Sequence, residues 1–415
     1  MSVAKVDVVV VGAGAAGIAA GRRVAAAGRS LHVLEARDRL GGRAFTRIDP
    51  RAGPLDLGCG WLHSANENPW VDVIERDGGE VVRGPTPWSR PLLESAFPMA
   101  EQDDYRAAAT RLRERLARWN GAGGDRPVSD FLEPSSRWNG LLSAVSTYVS
   151  GAEPWKVSAA DLCAYHDTGE NWRVRGGYGA AIAAHGAGLP VTFGALATRI
   201  DHSGRTVRVE SSRGTIETRA VILCVPASLI ADGAIAFTPD LPAKRDAASG
   251  LPLGLADKLY FLLERPEEFE PESRIFGRTD SASTAAYHFR PLGRPVVEAY
   301  FGGECAAALE RSGEAAFMDF ALAELSALFG ADIRDRLTPL PTHLWKSDSL
   351  ARGSYSYAAP GRVGDRASLS EPVDGRLFFA GEACSARDYS TAHGAYLTGV
   401  SAADATLAAL DITYS

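Results

Sequence analysis

The sequence predicts an α/β fold that opens on a parallel sheet. Three observations carry this. Val6–Val11 is β-branched and almost continuously apolar, as a parallel strand buried on both faces must be. Gly12-Ala13-Gly14-Ala15-Ala16-Gly17 follows at once and leads into an alanine-rich run with helical character. A second short strand, Leu31–Leu34, then ends on an acid, Glu35. Strand, glycine turn, helix, strand and acid in this order make a Rossmann-like βαβ unit, the type that holds a dinucleotide.

The remaining elements follow in chain order. The first helix is expected over Ile18–Ala27, closed by Gly28. Glu101–Trp119 is amphipathic, with Leu112, Leu116 and Trp119 on one face, and Gly121–Pro127 reads as a loop. Residues 70–170 therefore read as a helical insertion. From Val191 the pattern alternates with a period of two, broken at Ser203-Gly204 and Arg213-Gly214, as in a strand meander. A mixed segment runs from about 255 to 345. The chain closes with a buried strand at Leu377–Ala380, a loop and a long helix.

Composition narrows the function. The 415 residues suit two to three domains and a large core. A formal net charge of −7 argues against a chain-wide affinity for nucleic acid or anionic membrane. The five cysteines, Cys59, Cys163, Cys224, Cys305 and Cys384, are scattered and show no CxxC spacing. They support neither a disulfide framework nor a metal site. The apolar start carries Asp7 and spaced glycines, unlike a secretory signal, and no run is long enough to span a bilayer. A soluble cytoplasmic protein with no metal is expected.

Within the glycine motif each position has a task. Gly12 permits the tight turn, Gly14 lets a pyrophosphate approach the helix N-terminus, and Gly17 lets helix and strand pack closely. Glu35 stands where a carboxylate accepts from ribose hydroxyls. The run continues Ala36-Arg37-Asp38-Arg39-Leu40-Gly41-Gly42-Arg43, and a glycine pair followed by arginine suits a second pyrophosphate contact.

This run resembles the extended FAD fingerprint of the flavin amine oxidases, the monoamine and polyamine oxidases and the flavin-dependent histone demethylases. Further stretches are similar to that family in the same order. They are Asp56-Leu-Gly58-Cys59-Gly60-Trp61-Leu-His63, Arg175-Gly-Gly-Tyr178-Gly, Val221–Pro226 and Asp257-Lys258-Leu259. They continue with His343-Leu-Trp345, Arg352-Gly-Ser-Tyr355-Ser-Tyr357, Phe379-Ala-Gly381-Glu382 and Thr391-Ala392-His393-Gly. The resemblance covers nearly the whole chain. It implies an FAD-binding domain over residues 1–75, 176–256 and 346–415, interleaved with an α+β substrate-binding domain over 76–175 and 257–345. It also implies flavin contacts from Ala197, Trp345, Gly381, Glu382 and Ala392, besides the N-terminal motif and the Cys59-Gly60-Trp61 loop.

The implied chemistry is oxidation of an amine C–N bond by hydride transfer to the flavin, hydrolysis of the imine, and reduction of O2 to H2O2. The resemblance makes Lys258 the residue that holds a water at the flavin. Otherwise Lys258 is a surface lysine on a strand. Tyr355 would form one wall of a cage facing the flavin, and Thr391 stands where monoamine oxidases place a second tyrosine. That half-aromatic cage points away from small arylalkylamines and toward a polyamine-like or secondary amine. His63 falls near the substrate by the same resemblance, with a structural histidine as the other reading, and His393 is expected to be structural. Ser354 occupies the position of the flavin-linking cysteine, so noncovalent FAD is expected. The flavin-side loop lacks the arginine that amino-acid oxidases use for a carboxylate. The rival readings are an FAD-dependent C–C dehydrogenase, desaturase or protoporphyrinogen-oxidase-like enzyme, and a non-catalytic flavoprotein. The sequence leaves the oligomeric state open.

Overall fold

A computed structural model describes residues 4–94, 97–119, 121 and 123–412. Among these, the larger sheet has eight strands. Ala4–Val11 lies at its centre, flanked in parallel by Leu31–Leu34 and Gly214–Leu223. Val191–Thr192 extends it beyond Leu31–Leu34, and Leu377–Phe379 pairs with the second half of Gly214–Leu223. The continuous apolar run of the first strand is explained by its place, since Val8, Val9 and Val10 are fully buried. Helices Ala15–Ala26 and Ala392–Ile412 cover one face of this sheet. Ala227, Ile230, Ala247 and Leu251 pack on the other. Ala197–Asp201, Val207–Ser211 and Gly214–Leu223 form the expected antiparallel meander.

The first helix begins at Ala15, three residues before the expected Ile18, with Gly14 as its N-cap. Residues 12–14 therefore form the turn and the cap, and residues 15–17 already belong to the helix. The helix ends at Ala26, and Gly28 takes φ +72° just beyond it.

The smaller sheet is antiparallel, with Ser273–Phe276, Ala286–Phe289, Val296–Gly302, Ala256–Leu263 and Leu337–Pro339 in that spatial order. Leu259, Phe261, Tyr287, Phe289, Val297, Ala299 and Phe301 turn to one side and build a core with helix Glu314–Phe329. The alternate residues turn to the other side. There Phe276 and Ala286 meet helices Met99–Trp119 and Asn139–Ser150, with Leu141 and Trp138 between them. Leu116 and Trp119 of the long helix are buried, and Leu112 packs beside them. No helix among the described residues is long and apolar enough to cross a membrane.

Candidate active site

One cavity of about 1650 Å³ reaches from the glycine motif to the smaller sheet. Gly12, Gly14, Ala15, Ala16, Glu35, Ala36, Arg37, Gly42, Arg43, Cys59, Gly60, Trp61, His63, Ala197, Lys258, Trp345, Tyr355, Gly381, Glu382, Thr391 and Ala392 all line it. Ala13 and Gly17 lie behind its wall. Gly12 has φ +98°, and a Cβ there would stand 2.7 Å from the carbonyl oxygen of Cys224. A Cβ on Gly17 would fall 1.8 Å from the carbonyl oxygen of Gly12, so only glycine lets the helix seat on the turn.

At the motif end, the helix start carries no side-chain cap and no acid in its first turn. Its terminal amides and dipole are therefore open to an anion. Glu35 accepts from the Ala13 amide at 2.7 Å and the Arg37 amide at 2.8 Å. A carboxylate with two such bonds keeps lone pairs for further donors. Arg37 is ion-paired with Asp348 at 2.8 Å. Arg43 bonds the Ser354 carbonyl at 2.8 Å and Glu382 at 2.9 Å. Glu382 also accepts from the Ser356 hydroxyl at 2.7 Å and the Ser390 amide at 3.0 Å. Burial pushes the Glu382 carboxyl up, but Arg43, Ser356 and Arg366 outweigh it and hold it below the ordinary value. Glu382 thus fixes Arg43 and the segments of Ser356 and Ser390 rather than offering a free carboxylate.

At the other end, Lys258 is buried, at 6% exposure, which rules out the surface reading. Its Nζ donates to the Asp56 carbonyl at 3.0 Å and faces Glu298 at 3.8 Å. Burial pushes the Glu298 carboxyl up, yet Lys258, Arg173 and His288 bring it below its usual value, so it is ionised. The Tyr355 hydroxyl donates to the Tyr148 carbonyl at 2.6 Å and lies 3.0 Å from the Tyr300 hydroxyl. Burial raises the phenol of Tyr355 well above the ordinary range, so it stays neutral. Thr391 lines the cavity, and its hydroxyl donates to the Asp388 carbonyl and accepts from the Gly394 amide at 2.9 Å, capping the last helix.

His63 Nδ1 lies 2.6 Å from Asn171 Oδ1, and burial pushes its pKa down. The neutral ring therefore donates from Nδ1 and keeps a lone pair on Nε2. His393 is pushed down to about 4 by burial, against the pull of Asp388. Trp345 anchors the flavin-side loop by donating from Nε1 to the Leu57 carbonyl at 2.9 Å. Burial pushes the thiols of Cys59 and Cys384 up to about 12, so neither is a thiolate at neutral pH.

Sequence reasoning missed Glu298, Arg173, His288, Arg274 and Tyr300, which share the cavity wall with Lys258. Glu298 did carry a signal. It is an acid inside the apolar run Val296–Phe301, the same anomaly that singles out Lys258. Among the described residues no group of three or more His, Cys, Asp or Glu is arranged to hold a metal.

The donor set fits FAD: an uncapped helix N-terminus and Arg43 for the pyrophosphate, Glu35 for a ribose, and the Gly58–Trp61 loop leading to Lys258. A cavity joining an uncapped helix end to a buried ammonium suits a dinucleotide cofactor with a substrate beside it. Residues 97–407 match the family model of flavin containing amine oxidoreductase, and residues 10–76 match that of an NAD(P)-binding Rossmann-like domain. Polyamine oxidase 2 of Arabidopsis thaliana is 30% identical over 438 residues, covering 96% of this chain and 87% of the relative. Lysine-specific histone demethylase 1 homolog 1 of Oryza sativa subsp. japonica is 30% identical over 442 residues, covering 95% of this chain and 51% of the relative. A putrescine oxidase structure bound to putrescine superposes with a TM-score of 0.76 at 19% identity, over 99% of both chains. The chain belongs to the flavin containing amine oxidoreductases. It is a flavin-dependent amine oxidoreductase, and its cofactor is FAD.

Proposed function

We propose that this enzyme oxidises the C–N bond of a secondary or polyamine-like amine, with FAD held noncovalently and O2 as the final acceptor, giving H2O2. The observation that carries this reading is the joining of Lys258 and Tyr355 on one cavity wall. Lys258 pairs across the strands with Tyr300, whose hydroxyl meets that of Tyr355. The bound FAD supplies the two-electron acceptor. The chain supplies position, dryness and polar contacts. Lys258 spends one donor on the Asp56 carbonyl and keeps others for a water in the cavity. Tyr355 offers an aromatic surface to the amine, and the free Nε2 of His63 can accept from a substrate N–H. The substrate nitrogen must shed its extra proton before its α-carbon can give up hydride, and the product imine takes water to give an aldehyde and the shorter amine.

In this reading residues 1–75, 176–256 and 346–415 hold FAD, and 76–175 with 257–345 hold the amine. The five unpaired cysteines support a cytoplasmic setting. The test is anaerobic mixing with putrescine, spermidine, N-acetylspermidine, phenylethylamine, tryptamine, cyclic amines and amino acids, following flavin absorbance. Bleaching by an amine supports the proposal. A flavin that dithionite reduces but no amine bleaches moves the weight to C–C dehydrogenation.

A further inference from the structure

The face of the smaller sheet that floors the cavity is charged, and its charges do not cancel. Cross-strand register sets Arg274 opposite His288, and His288 opposite Glu298, on that one face. All three line the cavity. Glu298 is already committed, to Lys258 at 3.8 Å and to Arg173 at 4.0 Å. Burial lowers the pKa of His288, and its two nitrogens are taken by Arg173 at 3.1 Å and Glu272 at 2.7 Å. Arg274 is left over. Its guanidinium has no hydrogen-bond or ion-pair partner among the described residues, although it is largely enclosed beside Tyr105 and Tyr148. Glu298 is the acid that acts on it, at a distance and shared with Lys258 and Arg173, so an anion bound directly to the guanidinium would recover part of the cost of its enclosure.

The rest of this end of the cavity has the same sign. The exposed Arg90, Arg113 and Arg106, the last paired with Asp103, stand at its rim, whereas its described acids are Asp167 and the committed Glu298. Among the secondary and polyamine-like amines of the proposed reaction, such a wall favours one whose far end is anionic. We propose that Arg274 receives a carboxylate, so the preferred amine is one that carries a carboxylate at the end remote from the reacting nitrogen. The strand of Arg274 lies three strand spacings from that of Lys258. Tyr260, not Lys258, is in register with Arg274, so Lys258 stands two residues further along; the separation is roughly 16 Å, and an extended chain of about twelve bonds spans the two. The inference rests on the reading that this cavity holds the amine substrate.

The test separates binding from turnover. Octanoate, octanol and octyltrimethylammonium are titrated into the FAD-loaded enzyme by calorimetry. Octanoate is expected to bind at least tenfold more tightly than either. Arg274→Gln removes that advantage and leaves octanol unchanged, and Arg274→Lys retains part of it, since a point charge replaces a bidentate fork. In turnover, an N-methyl ω-amino carboxylate is expected to exceed its methyl ester at least tenfold in kcat/KM, and only in the wild type. Equal binding of octanoate and octanol overturns the inference. So does tighter binding of the cation, or an Arg274→Lys enzyme, folded and flavin-loaded, that weakens all three probes alike. Arg274-dependent octanoate binding with no bleaching by any amine upholds the carboxylate site and sinks the amine reading instead.

Discussion

The buried charges of the active site are interdependent, and single substitutions expose which of them act. Lys258 and Glu298 are both buried, but Glu298 keeps Arg173 when Lys258 is removed. Lys258→Met should therefore leave a folded, flavin-loaded protein. It should slow flavin reduction by amine about 100-fold or more, the scale on which a positioned proton-handling group acts. Stopped-flow absorbance decides this, and a reduction rate within threefold of wild type would remove Lys258 from the chemistry. His393 offers a second handle. Its folded pKa of about 4 lies below the ordinary 6.5. Between those values the unfolded chain takes up a proton that the native histidine refuses. Its contribution to stability is therefore complete above pH 6.5 and is lost progressively as pH falls toward 4. His393→Gln should flatten the decline of the urea midpoint across that window, leaving what His32, His63 and His288 contribute, whose pKa values burial also lowers.

Among elements, one buried ion pair joins segments far apart in sequence. Arg366, on helix Asp365–Ser370, grips Asp161 of helix Ala159–Ala164 at 2.7 and 2.8 Å, and both side chains are 1% exposed. Arg366 also bonds Ser356 at 3.0 Å, next to Tyr355, and lies over the Tyr389 ring. Removing one partner of such a pair strands a buried charge, so Arg366→Met should cost about 3–5 kcal/mol in chemical denaturation. A loss below 1 kcal/mol would show that the site relaxes and hydrates. These contacts also mark where sequence reading stops. The βαβ start was legible because strand, turn, helix and acid are adjacent along the chain and each obeys a local rule. The helix register over residues 101–119 was legible for the same reason. The second sheet's cavity face was not, because Arg274, His288 and Glu298 meet only through cross-strand register. Thr391 was placed by likeness alone, and its hydroxyl proves to be taken up by capping. Lys258 stood out since a charge in an apolar strand violates the local pattern.

For the whole molecule, cofactor and fold are coupled through one cavity that both sheets line. A ligand that binds only the native state adds stability as RT ln(1 + [L]/Kd), about 2.7 kcal/mol at a hundredfold excess over Kd. Stripping FAD should thus lower Tm by several degrees, and added FAD should restore it in a concentration-dependent way. The way the flavin is held belongs to the same experiment. By the family resemblance Ser354 is expected at the position of a linking thiol, and its hydroxyl donates to the Ala256 carbonyl at 2.8 Å and accepts from the Ala256 amide at 2.9 Å. That side chain pins the Tyr355 loop to the start of the Lys258 strand. The cysteines that line the cavity, Cys59, Cys163 and Cys224, have their thiols pushed up by burial, as does Cys384 next to Glu382, so all are poor nucleophiles. Acid precipitation should accordingly leave all the yellow colour in the supernatant. Flavin retained in the washed pellet would mean a covalent bond that none of these side chains is placed to make.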